Sequence, residues 1–95
     1  MHTAMQSDKR AAIVCCHVAK DRLPILLAER IEPVEAADSG WQFFCNSGHP
    51  EEARDAQVWS ISEVLELEPT LSDFVSRPPG ARLLRCDSKS PWVVS

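Results

Sequence analysis

No tyrosine occurs among the 95 residues, only three glycines do, and no C-x-x-C pair is present. Each absence removes a class of function. The glycines (Gly40, Gly48 and Gly80) stand singly, so no glycine-rich loop is available to cradle a phosphate chain. Without paired knuckles that aim two thiolates at one point, the four cysteines do not declare a structural zinc site. The ten basic residues are scattered, with Arg77, Arg82 and Arg85 the nearest thing to a cluster, and the net charge is -4. A nucleic-acid surface needs grouped Lys and Arg to displace counterions, so no nucleic-acid partner is expected.

Long apolar runs are missing too. The run Ala11–Val14 is soon broken by His17 and Lys20, too early for a membrane span. It follows Lys9 and Arg10 as the core of a signal peptide would, but no small-residue cleavage site comes after it. The expectation is a cytoplasmic protein whose thiols stay reduced and fill space as small hydrophobes.

What is present has ordinary globular proportions: 44% hydrophobic and 25% charged residues, which argues against disorder. Ninety-five residues make one core. Residues 1–11 read as a flexible tail and 12–95 as a single domain. Ala12–Val18 is rich in β-formers and predicts a strand, with Ala12, Val14, Cys16 and Val18 on one face and Ile13, Cys15 and His17 on the other. Asp21–Pro24 predicts a turn, and Ile25–Ile31 a second strand. Trp41–Cys45 predicts a third, placing Trp41, Phe43 and Cys45 on one face. Residues 46–57, with three carboxylates, predict a surface loop.

The clearest helix signal is Ser60-Ile61-Ser62-Glu63, which fits a capping box, followed by Ile61, Val64 and Leu65 at helical spacing. Pro69 ends that helix and can open another, since Leu71, Phe74 and Val75 repeat the spacing. Ala81–Cys86 and Trp92–Val94 predict two last strands. The order β-β-β-α-α-β-β, with helices grouped, predicts an α+β fold: a small, mostly antiparallel sheet of about five strands with two short consecutive helices.

Catalytic constellations are thin. Cys45-x-x-x-His49 has a plausible ligand spacing, and Cys15, Cys16, His17 and Cys86 could converge on it. Cys15 and Cys16, as strand neighbours, point to opposite faces. A small metal- or thiol-dependent enzyme or sensor on Cys45, His49, Cys16 and Cys86 is thus the alternative reading, and buried thiols are the plainer one. The Glu51-Glu52 pair and Glu63, Glu66 and Glu68 fall on a loop and a solvated helix face, not in a cleft. The chain therefore reads as a non-enzyme, with no cofactor and no metal expected. Among the aromatics, Trp residues fill cores, but Trp is also over-represented at binding hot spots. Asp38, Trp41 and Trp59 are the candidate binding residues. Burial of Trp41 would remove it from any such surface.

Asp38-Ser39-Gly40-Trp41-Gln42-Phe43-Phe44 resembles the D-S-G-W-x-F-F segment of the bacterial immunity protein 33-like domain family, grouped with immunity proteins of polymorphic toxin systems. Other segments agree in order: an apolar strand (Ala12–Val18), a strand ending in Arg30 with Pro33 beyond, Trp59-x-Ile61-x-x-Val64-Leu65 followed by Pro69, and Pro79-Gly80 leading to Arg85. The glycine usual soon after F-F is displaced here to Gly48. The resemblance implies a non-enzymatic protein-binding domain that neutralises a cognate toxin by occluding it. An acidic protein of this kind suits a basic partner. It brings no catalytic residues, and the sequence leaves the oligomeric state open.

Overall fold

The computed structural model describes residues 8–45 and 56–94. Among these, six strands form one sheet in the order β4-β1-β3-β2-β5-β6. The strands are β1 (Ala11–Val14), β2 (Leu27–Arg30), β3 (Asp38–Phe44), β4 (Gln57–Ser60), β5 (Arg82–Leu84) and β6 (Val93–Val94). Helix α1 (Cys16–Asp21) follows β1, α2 (Ile61–Leu67) follows β4, and a 3-10 helix (Pro69–Asp73) follows α2. β1 pairs parallel with β3, and every other pairing is antiparallel. The class is α+β, as the sequence implies. Two details differ: there are six strands rather than about five, and a helix precedes the second strand.

The first strand is shorter than its composition predicts. Alternation holds through Ala12 and Val14, both buried, and then fails. Cys15 becomes the extended N-cap of α1, and Val18 turns inward as the one buried residue of the helix. A four-residue strand followed by a six-residue helix is too short for either period to declare itself. The missed strand, β4, lies between the acidic segment and the capping box. Trp59 there pairs with Ala12 across the antiparallel ladder. The second helix after Pro69 is a 3-10 turn that buries Leu71.

The amino-terminal boundary also moves. Asp8–Ala11, assigned to a tail from sequence, are tied down. Ile61 and Ser62 N–H donate to the Arg10 and Asp8 carbonyls, at 3.0 and 2.9 Å. These bonds satisfy the first amides of α2, and the Ser60 hydroxyl accepts from Glu63 N–H at 3.2 Å to complete the capping box.

The D-S-G-W segment explains itself in β3. Between Ala11 and Ile13 of β1, the facing strand advances from Asp38 to Gln42, so β3 carries a bulge. Gly40 sits in it at φ 81°, and a Cβ there would lie 2.1 Å from the Ile31 carbonyl oxygen. The buried Ser39 hydroxyl donates to the Ala11 carbonyl at 2.6 Å and accepts from Trp41 N–H at 3.1 Å. Asp38 accepts from Gly40 N–H at 2.9 Å and Val34 N–H at 3.2 Å, bonds that hold its carboxyl below the ordinary range. Beyond the bulge, Trp41 and Phe43 stack with ring centroids 5.8 Å apart. They join Ala12, Val14, Val18, Ala28, Ile61, Val64, Leu71 and Leu83 in one core.

Two substitutions test this frame by urea denaturation. Phe43→Ala, at a fully buried site, is expected to cost about 3–5 kcal/mol. Gly40→Ala should cost at least the ~1–2 kcal/mol of a left-handed non-glycine residue, plus the backbone shift that relieves the contact with Ile31.

Candidate functional site

The three residues singled out from sequence do not share one surface. Trp41 is 1% exposed, and its indole N–H donates to the Val75 carbonyl at 2.9 Å. The Arg30 guanidinium lies 6.0 Å from its ring centroid and donates to the Ser39 carbonyl at 2.8 Å. Trp41 is therefore a core residue in this conformation, since a buried indole offers a partner no area. Asp38 is half-buried and committed to its turn. Trp59, on edge strand β4, is half-buried and keeps part of its ring at the surface. Its N–H donates to Gln57 Oε1 at 3.1 Å.

The residue that sequence reasoning missed beside Trp59 is Arg22. It caps α1 in the left-handed region at φ 58°, a place more often taken by glycine. No other non-glycine residue among those described has a positive φ. The conformation is fixed because Arg22 and Leu23 N–H both bond back to the His17 carbonyl, the latter at 3.2 Å. It carries the guanidinium to 6.0 Å from the Trp59 ring centroid. Nothing in Asp21-Arg22-Leu23-Pro24 beyond a turn signals this.

Arg22 also lines a depression of about 310 Å³, together with Leu23, Pro24, Ile25, Leu67, Glu68 and Ser88. Its wall is braced by Arg85, whose side chain is 2% exposed. Arg85 donates to Glu68 Oε1 at 2.7 Å and to the Ile25 carbonyl at 3.0 Å, and its guanidinium lies 4.3 Å from the Trp92 ring centroid. Burial pushes the Glu68 carboxyl up, but hydrogen bonds from Thr70 and Arg85, with the Arg85 charge, outweigh it and leave the group below its ordinary value. The surface from Trp59 through Arg22 to Leu67 and Glu68 thus combines aromatic, cationic, aliphatic and anionic groups.

The thiols are arranged differently from the sequence-based alternative. Cys45 is buried at the end of β3, Cys16 is half-buried on α1, Cys86 is exposed, and His49 lies outside the described residues. Cys16 and Cys86 do not gather with Cys45. Cys15 and His17 do, their donor atoms and that of Cys45 lying within 4.8 Å of one another. The C-x-H spacing was legible, but the adjacency of β1 and β3 was not.

A mixed six-stranded sheet with two short helices and a 3-10 turn defines a small α+β domain. The Immunity protein Imm33 domain profile matches residues 12–94, and the chain belongs to that family. No curated protein and no solved structure matches it. Among the described residues, no helix is long and apolar enough to cross a membrane.

The Arg85–Glu68 brace gives two expectations. Glu68→Ala should cost about 3 kcal/mol, the lower end for a broken buried pair because Glu68 keeps part of its carboxylate in water. Because the folded carboxyl titrates below the ordinary value of 4.5, the unfolded chain binds the proton first. The stabilisation is complete above that value and is lost as pH falls through the folded pKa. Chemical denaturation of wild type and Glu68→Gln from neutral to acidic pH should therefore show a steeper acid loss in wild type.

Proposed function

We propose that this protein is an immunity protein that binds a cognate bacterial toxin in the cytoplasm and blocks it by occlusion, without catalysis. Membership of the Imm33 family across residues 12–94 carries the reading. The net charge of -4 is favourable for steering towards a basic toxin. The contact surface is assigned to Trp59 and Arg22, flanked by Leu23 and Leu67. Trp and Arg dominate hot spots because each covers a large apolar area while keeping a polar handle. Asp38 and Trp41 serve this surface at a distance, through the bulge that sets β3 against β1.

Left-handed backbone at position 22 makes a clean test. Arg22→Gly removes the guanidinium but suits the backbone, so folding stability should stay within about 1 kcal/mol of wild type. Binding should weaken by about 2 kcal/mol or more for Arg22→Gly and for Trp59→Ala. The measurement is calorimetry against a candidate toxin domain, sought first in the neighbouring genes, with thermal melts on the same samples. Co-expression should restore growth of cells carrying that toxin. Absence of both rescue and binding would overturn the reading; binding untouched by either substitution would move the contact elsewhere on the surface.

A further inference from the structure

Three donor atoms converge where β1 and β3 end side by side. The two strands run parallel, so their carboxyl ends reach the same edge of the sheet. Cys15 follows β1 directly and Cys45 follows β3 directly, and Cys15 N–H donates to the Phe43 carbonyl at 3.0 Å. His17 lies in the first turn of α1. Both sulfurs and one imidazole nitrogen fall within 4.8 Å of one another. Cys45 Sγ is 3.6 Å from His17 Nδ1. A tetrahedral zinc, with Zn–S about 2.3 Å and Zn–N about 2.0 Å, sets a sulfur and a nitrogen ligand about 3.6 Å apart.

We propose that Cys15, His17 and Cys45 form a binding site for one zinc(II) ion, with water or an incoming ligand in the fourth position. The donor set is soft sulfur with imidazole, which suits zinc and not a hard cation. Charge decides further. Cys15 and Cys45 are 1% and 2% exposed, so an uncompensated charge there is costly. Two thiolates and a neutral imidazole cancel the two positive charges of zinc, whereas copper(I) would leave a net negative charge. Both thiol protons pass to solvent as the two Zn–S bonds form.

A backbone donor supports the thiolate form. Cys45 N–H points at Cys15 Sγ at 3.3 Å, and a hydrogen bond to sulfur favours its charged state. His17, half-buried, is the least covered of the three and gives the ion its way in. The sequence-based expectation of no metal rested on the missing C-x-x-C knuckle. Here two parallel strand ends place the thiols instead, and a knuckle is not required.

The test uses the full chain, reduced and stripped by chelator, with no partner present, so its outcome is independent of toxin binding. Zinc chloride titrated by calorimetry should show one site per chain. Cobalt(II) should give the visible bands of a tetrahedral centre with thiolate-to-metal charge transfer. His17→Gln, at a half-buried position, should weaken zinc binding by about 100-fold or more, at or beyond the upper end for losing a supporting partner. Zinc should raise the Tm of wild type and not of His17→Gln. The double variant Cys16→Ser/Cys86→Ser should bind as wild type does. Circular dichroism confirms that each variant is folded. Failure of wild type to take up zinc stoichiometrically, absence of thiolate-to-cobalt charge transfer, or uptake unchanged in His17→Gln would each overturn the proposal.

Discussion

The bulge at Ser39-Gly40 is the constraint on which the rest of the sheet depends. A parallel strand pair gains its register from side-chain burial alone unless something pins it. Here the Ser39 hydroxyl pins it by donating to the Ala11 carbonyl, while Trp41 N–H, two residues on in β3, holds the hydroxyl in place. Shifting β3 by one residue against β1 would break the Ser39–Ala11 bond and turn Trp41 and Phe43 away from the core. Gly40 is needed because the Ile31 carbonyl occupies the space a Cβ would take. The family's D-S-G-W segment is thus one mechanical unit: Asp38 closes the turn, Ser39 sets the register, Gly40 admits the crossing backbone and Trp41 starts the core.

Two arginines do comparable work at opposite ends of the β2–β5 pair. Arg30 reaches the Ser39 and Arg77 carbonyls, and Arg85 reaches those of Ile25 and Ser88. Each guanidinium lies near an indole, Trp41 for Arg30 and Trp92 for Arg85. A planar group with several donors can satisfy loop carbonyls that no ladder reaches. That is why these positions read as motif residues although Arg30 lies away from the proposed surface and Arg85 only braces its wall. In this domain the most recognisable residues hold the scaffold, and the surface is built from less distinctive ones.

Sequence legibility follows the same division. The capping box at Ser60, the stacked face of Trp41 and Phe43, and the turn at Arg22 come from local patterns that the chain writes over four to seven residues. The fold class follows from their order. Helix α1 was hidden because it is short and inherits the apolar character of β1. Strand β4 was hidden because its only aromatic, Trp59, lies directly before a strong helix start. Burial of Trp41 could not be read locally either: a residue at a strand entrance is covered only when the backbone near Val75 returns to accept its N–H. The meeting of Cys15 and His17 with Cys45 depends on a parallel pairing across two intervening elements, and no local window contains it.

The position of β1 has a consequence for how the chain is made. β1 lies between β3 and β4, and its register joins Ala11 to Asp38 on one side and to Ser60 on the other. During synthesis β1 therefore waits for its second partner, almost fifty residues behind it. The hairpin of β2 and β3 can close much earlier, across a short connection. Pairings between distant segments form slowly and leave apolar strand faces open while they wait. Ala12 and Val14 therefore stay without their β4 partners, Trp59 and Gln57, until the acidic middle segment has been made.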